Sequence, residues 1–365
     1  MINMKDKLIE ALHAINKQKN HRVFLGFDAF IDLITRPIEK GNSIGVEHYF
    51  EKSIDFGEYI VKKSGMNSSV ELDLQSRKIG GNTPNVASAL GTLGVKCDCL
   101  APFGTKEIDE IFRPLQQFGH LFSTGDPGLS LALEFENGKI MMALNQDVNH
   151  QNWMRIKETV QLNTLTMTIQ KADMLCLLNW SEVPGATDIF RGLQTDVLPE
   201  LSVEKPILID LSDCSRRSRK DIFDILTILT QFAKTNKLIL GLNENESHIV
   251  CDVMGIDDTQ SDEKKAWELR KKLSFHWVVF HNRIRSILAD EQKTYQFQTL
   301  MNGKPVLQTG AGDHFNAGLC LGYLYEMEPQ ICLALAAMTS GFYVEKGKSA
   351  SLDELIQYIE SMEEL

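Results

Sequence analysis

The chain has 365 residues, 43% hydrophobic and 24% charged, an ordinary globular balance with room for one large α/β unit and an added subdomain. Its formal net charge of −11 disfavours nucleic acid and anionic membranes as partners, though a helix N-terminus can still bind phosphate without basic residues. The seven cysteines form no C-x-x-C pair, no signal-peptide core opens the sequence and no apolar run is long enough to span a membrane, so a reducing, cytoplasmic setting without structural zinc is expected.

In chain order, Leu8, Leu12 and Ile15 recur at helical spacing and predict a helix over 4–17. RVFLGF at 22–27 reads as a strand, with Asp28 and Asp32 just after it. Residues 38–79 carry few signals, as in a functional loop, lid or insertion. Gly80-Gly81-Asn82 leads into Thr83-Pro84, which read as N-cap and first helical residue, and Val86, Leu90 and Leu93 form a stripe stopped by Gly94. A strand at 96–101 and a hairpin at 129–144, turning at Asn137-Gly138, follow. Apolar runs at 173–178, 206–211, 237–242 and 276–280 alternate with helical patterns at 155–171, 219–234 and 261–273, which predicts a mostly parallel sheet covered on both faces. Residues 284–298 suggest a late antiparallel pair, and helices at 311–325, 329–344 and 352–363 close the chain. No repeat or linker divides it, so 1–365 is read as one unit, with about 33–79 and 129–146 supplying a small β lid.

Four segments carry chemistry. Thr309-Gly310-Ala311-Gly312-Asp313 opens a helix, so its free N–H groups and the helix dipole can hold a phosphoryl group in flight while Asp313 accepts a hydroxyl proton. Gly80, Gly81 and Asn85 offer backbone and amide contacts to a polyhydroxylated substrate, although a well-capped loop would look the same. Asn243-Glu244-Asn245-Glu246 ends a strand, where open parallel sheets collect their ligands and where Glu246 could hold hydrated Mg²⁺; alone it reads as a polar helix start. Asp28 and Asp32 can grip neighbouring hydroxyls or cap turns. Arg216, Arg217 and Arg219 read as a solvated charge run, Asn179 and Trp180 as either substrate contacts or packing, and the nine histidines show no metal spacing.

Together these segments resemble the ribokinase (PfkB) family of carbohydrate kinases over roughly 22–350: GGNTPNVASALGTLG is similar to the first signature and TGAGDHFNAG to the second. The resemblance implies a ribokinase-like three-layer sandwich with a small β lid, and an ATP- and Mg²⁺-dependent kinase acting on a small sugar. It implies Asp313 as catalytic base, and Gly310, Ala311 and Gly312 as the anion hole. Asp32, Asp28, Gly80, Gly81 and Asn85 would bind substrate, and Asn243, Glu246, Thr309, Asn282 and Gly347 would lie on the nucleotide and phosphate side, with a homodimer through lid sheets. Two departures stand out. Leu307 and Gln308 replace the Asp-Thr that supports a monovalent-cation site, and Phe280-His281-Asn282-Arg283-Ile284-Arg285 replaces a Thr-x-Gly-x-x-Gly stretch, so Asn282 or Arg283 is expected to take over its contacts. A nucleoside or vitamin-like alcohol as acceptor, and a non-catalytic ligand-binding regulator, remain alternatives; a dinucleotide oxidoreductase is disfavoured because no G-x-G-x-x-G follows the first strand.

Overall fold

A computed structural model describes residues 3–15, 21–41, 47–298, 305–307 and 309–363. The first half runs α1 (Met4–Ala14), β1 (Arg22–Gly26), β2 (Phe30–Gly41), β3 (Glu47–Tyr49), α2 (Ser53–Lys62), β4 (Leu72–Gly80), α3 (Asn82–Thr92), β5 (Lys96–Ala101), β6 (Leu121–Ser123), β7 (Gly128–Phe135) and β8 (Gly138–Leu144). Then come α4 (Trp153–Thr159), α5 (Leu162–Lys171), β9 (Met174–Leu177), α6 (Ala186–Gly192), β10 (Pro206–Asp210), α7 (Arg219–Phe232), β11 (Lys237–Asn243), α8 (Glu244–Val253) and α9 (Asp262–Leu273). β12 (Trp277–His281), β13 (Arg285–Ala289), β14 (Thr294–Gln298), α10 (Ala311–Leu324), α11 (Pro329–Lys346) and α12 (Leu352–Glu360) complete the chain.

The main sheet has the order β14-β13-β12-β11-β10-β9-β1-β5-β6. It is parallel from β6 to β12, and β13 and β14 add antiparallel at one edge. Side chains alternate across the strands, so each face builds its own core. Leu25, Cys99, Cys176 and Ile239 pack under α1, α3, α10, α11 and α12. Phe24, Leu175, Ile209 and Leu240 pack against α4 to α9 on the other face. Fully burying such a side chain contributes roughly 1.5–3 kcal/mol, so the continuous apolar runs outweigh any local preference. The antiparallel pair and the three closing helices expected from the sequence are present.

A second sheet has the order β3-β2-β7-β8, with β4 also paired to β2. One of its faces is covered by α2, where Phe50, Phe56, Tyr59, Leu133 and Phe135 cluster. The segment 38–79 is therefore not irregular: it holds β3, α2 and β4, and β2 begins at Phe30. β4 lacks an apolar run because much of it is exposed, and β8, expected from the sequence as half of a hairpin, is exposed along its whole length. The helix expected over 155–171 is two helices, because Val160 adopts an extended conformation and ends α4. β6 and α6 were not foreseen in the sequence, and α8 begins where Asn243–Glu246 reads as a polar helix start.

At the start of α3 the expected cap is replaced by a distant one. The helix begins at Asn82 with Gly81 at φ +89°, and Thr83 is not its N-cap. Asp28, just beyond β1, accepts the N–H groups of Asn82 (2.8 Å) and Thr83 (3.0 Å), the Thr83 hydroxyl (3.0 Å) and the Asn179 amide (2.7 Å). The carboxylate thus ties β1, α3 and the end of β9 together, fully buried. Asp28→Ala should lower unfolding stability by about 2–4 kcal/mol, since it leaves several buried donors without partners; urea denaturation checks this, and Asp28→Asn, which keeps one acceptor, should cost less.

Candidate active site

The carboxyl ends of β1, β10 and β11 and the N-terminus of α10 converge on one edge of the main sheet, where parallel α/β sheets hold their ligands. Two clefts open there. One, of about 410 Å³, is lined by Asp32, Gly81, Asn85, Ser130, Asn179, Asp210, Glu246 and Asp313. Met141 and Ala143 of β8 line it too, so the small sheet forms one wall. The other, of about 560 Å³, is lined by Asn243, His281, Asn282, Arg283, Phe315, Ala337, Gly341 and Val344. Gly312 lines both, so the clefts meet at the start of α10.

The glycine-rich turn is fixed in place. Gly310 caps α10 at φ +90°, a left-handed conformation that suits glycine. The first turn of a helix leaves its N–H groups without intrahelical acceptors, and here they are at the junction of the clefts. Asp313, in that turn, is buried and accepts a hydrogen bond from the Asn85 side chain at 2.9 Å. Asn85 is carried by α3, whose own position Asp28 sets.

Few cations offset the carboxylates around these clefts. Burial pushes the Asp313 carboxyl well above its ordinary range, with Asp210 adding repulsion and the Asn85 bond partly opposing it. Burial raises Asp32 to about 6, against the pull of Lys139 and a hydrogen bond with Ser130. Glu246 is raised to about 8 by burial and by Asp210. Asp210 itself is raised by burial, although Ser212 and Asn316 donate to it.

The predicted residues separate into two groups. Asp32, Gly81, Asn85, Glu246, Thr309, Gly310, Gly312 and Asp313 line the first cleft, and Asn243, Asn282, Ala311 and Gly312 line the second. Asp28 lines neither, because its oxygens are taken up by the four donors above. Gly80 and Gly347 also lie off both linings; Gly347 ends α11 at φ +68°. Asn243 and Glu246 form a reciprocal capping box at the start of α8, in which both Glu246 carboxylate oxygens accept from Asn243, and Glu246 lines the first cleft. Asn282 accepts the N–H groups of Ile284 (2.8 Å) and Arg285 (2.9 Å), so this turn spends its own amides. Leu307 donates its N–H to Val344, and Gln308 lies outside the described residues.

Lys139 and Asp210 escaped the sequence reading, and the residues it left open now have places. Lys139 of β8 donates to the Thr309 hydroxyl, linking the small sheet to the glycine turn. Arg216 lines the first cleft, paired with Glu182 at 2.5 Å, whereas Arg217 binds main-chain carbonyls and Arg219 pairs with Asp252. Trp180 is packing: it is fully buried and donates to Thr187. Asn179 lines the first cleft at φ +55° with a buried carbonyl oxygen that has no protein partner. The advance signal for Asp210 was its place at a strand end, the same signal that singled out Asn179. Among the described residues no three carboxylate, histidine or cysteine groups are placed to enclose a metal directly.

The sequence model of the prokaryotic ketohexokinase family matches residues 6–362. The chain belongs to the prokaryotic ketohexokinase family. It is 25% identical over 341 residues to the ketohexokinase of Haloferax volcanii, spanning 92% of this chain and 89% of that protein. In fold it is similar to the ribokinase of Thermotoga maritima (TM-score 0.63, 15% identity, 94% of this chain and 100% of that one). It is likewise similar to the adenosine kinase of Sinorhizobium meliloti (TM-score 0.65, 17% identity, 92% and 97%). The fold is thus the ribokinase one, and family membership makes the chain a carbohydrate kinase that uses ATP to phosphorylate a sugar.

The raised carboxyls of this ketohexokinase-family chain have a measurable consequence. A carboxyl whose folded-state pKa is raised binds its proton more tightly when folded, so its destabilising effect is fully present above the folded pKa and fades as pH falls toward the unfolded value. The melting temperature of the ligand-free protein should therefore rise as pH falls from above 8 to 6, through the Glu246 range and toward that of Asp32. Glu246→Gln should flatten the upper part of this dependence, as thermal melts across pH will show.

Proposed function

We propose that the chain transfers the γ-phosphoryl group of ATP directly to a hydroxyl of a ketohexose, with Asp313 as general base. The observation that carries this reading is the junction at Gly312, where a polar cleft and a partly apolar cleft meet beside a buried carboxylate at a helix N-terminus. The sugar occupies the polar cleft, its hydroxyls against Asp32, Gly81 and Asn85. The nucleotide occupies the other, its base among Phe315, Ala337, Gly341 and Val344. The reacting hydroxyl then lies between Asp313 and the phosphoryl group. The amides of Gly310, Ala311 and Gly312 receive the charge that develops on the transferred group.

The residues present fit hydrated Mg²⁺ better than a closed protein cage. Glu246, Asp210 and Asp213 line one cleft without enclosing an ion, and Mg²⁺ keeps much of its own water. Bound there, the ion would neutralise phosphate charge. The sheet built from β2, β3, β4, β7 and β8 serves as a lid, with Met141 and Ala143 over the sugar and Lys139 reaching the glycine turn; excluding water would suppress wasteful ATP hydrolysis. The exposed Ile140, Met142 and Leu144 of β8 suit a homodimer through paired lids, and the free, buried cysteines suit a cytoplasmic setting.

Asp313→Asn should lower kcat by about 10²–10⁴-fold while leaving sugar binding in place. Steady-state assays with ketohexoses and Mg-ATP, paired with thermal shifts, separate the two effects. A sugar at 100 times its Kd should stabilise the variant by about 2.7 kcal/mol, as it does the parent. Near-normal turnover by Asp313→Asn would rule out the general-base role. Asp32→Ala should instead weaken the sugar-dependent shift.

A further inference from the structure

Three successive carbonyls of the glycine turn are each held by a different side chain. The Tyr343 hydroxyl donates to the Thr309 carbonyl at 2.9 Å. The His314 ring Nδ1 lies 2.8 Å from the Gly310 carbonyl, and the Ser340 hydroxyl donates to the Ala311 carbonyl at 2.9 Å. Facing a carbonyl, His314 Nδ1 must carry the hydrogen, which leaves Nε2 to accept from the Ser349 hydroxyl at 2.9 Å. Burial holds this imidazole neutral, with its pKa lowered to about 4. The ring also stacks on Tyr343, with centroids 3.6 Å apart. Ser349 reaches Ser88 of α3, the helix that carries Asn85.

A trans peptide points its C=O and the next residue's N–H in opposite directions. Holding the carbonyls of residues 309, 310 and 311 therefore orients the N–H groups of Gly310, Ala311 and Gly312. We propose that Tyr343, His314 and Ser340 are positioning residues that aim these three amides at the transferring phosphoryl group. The inference rests on the reading of this turn as the anion hole. The Gly310 carbonyl also accepts the His314 main-chain N–H at 3.1 Å, so the side-chain clamp reinforces the first helical bond of α10 where Gly310 and Gly312 have no side chain of their own to restrict their peptides. Glycine is also required by the clamp: a side chain at 310 would come within 2.9 Å of the Tyr343 hydroxyl. Ser340 and Tyr343 sit on α11, whose Ser340, Gly341 and Val344 line the nucleotide cleft, so one helix contacts the donor and sets the amides.

The test uses Tyr343→Phe and Ser340→Ala, singly and together, beside the parent and Asp313→Asn. Each substitution removes one hydroxyl and little volume. The readouts are kcat, the KM for sugar and for ATP, and the affinity of Mg-ADP with sugar in the presence and absence of aluminium fluoride, an anionic mimic of the transferring group. Each single variant should lose about 10-fold in kcat, less than the loss of an oxyanion donor because the amide itself remains, and the pair about 10²-fold, the lower end of the loss seen when one donor is removed. Both KM values should stay within about twofold, and the extra affinity conferred by aluminium fluoride should fall in step with kcat, with Mg-ADP binding alone unchanged. A double variant with parental kcat and parental aluminium fluoride affinity, tested beside an inactive Asp313→Asn, overturns the clamp and leaves the general base standing. A loss confined to KM overturns it as well. Normal turnover by Asp313→Asn overturns the functional reading itself.

Discussion

Collecting Asp28, Asp32, Asp210, Glu246 and Asp313 at one edge of a sheet is costly, because each loses hydration on burial and each repels its neighbours. The parallel sheet makes the arrangement geometrically available, since its crossovers deliver the ends of β1, β10 and β11 to the same edge. Donors then limit the cost unevenly. Asp28 is surrounded by four donors and acts as a brace; among the described residues Asp313 has one side-chain donor, Asn85. In the proposed reading the same residue type serves structure in one place and chemistry in the other, and the donors around it decide which.

The helices α10 and α11 frame this edge. α10 presents its N-terminus where the two clefts meet, and α11 packs along it while walling the second cleft, the one proposed for the nucleotide. α3 completes the frame, fixed at its start by Asp28 and reaching Asp313 through Asn85. Gly312 lines both clefts, and in the proposed reading the carboxylate, the amides and the two ligands come together there.

Much of this was legible in the sequence. Unbroken apolar strands alternating with helical stripes announce a two-sided sheet, and a glycine turn running straight into a helix with an aspartate in its first turn marks the place where the two clefts meet. Long-range bonds set the limits. Thr83 looks like a helix cap, yet Asp28, more than fifty residues earlier, supplies the acceptors. Asp28 and Asp32 are indistinguishable as neighbours after a strand; only the fold shows that one is sealed among donors and the other faces a cleft. In the small sheet the hairpin was legible, but β4 was faint because it is largely exposed and lacks an apolar run. Asp210, Asn179 and Lys139 belong to segments far apart in sequence, and no local pattern joins them to Asp313.

The most direct measurement is the pH dependence of kcat/KM for the parent and for Asn85→Ala, with the sugar and Mg-ATP. If Asp313 accepts the hydroxyl proton, activity must fall on the acid side as that carboxyl protonates. Asn85 is the donor that favours its charged form. Removing Asn85 should therefore move the acid limb to higher pH, apart from any change in the plateau. An acid limb that keeps its position in Asn85→Ala would mean that another group takes the proton, and the assignment of Asp313 would fall.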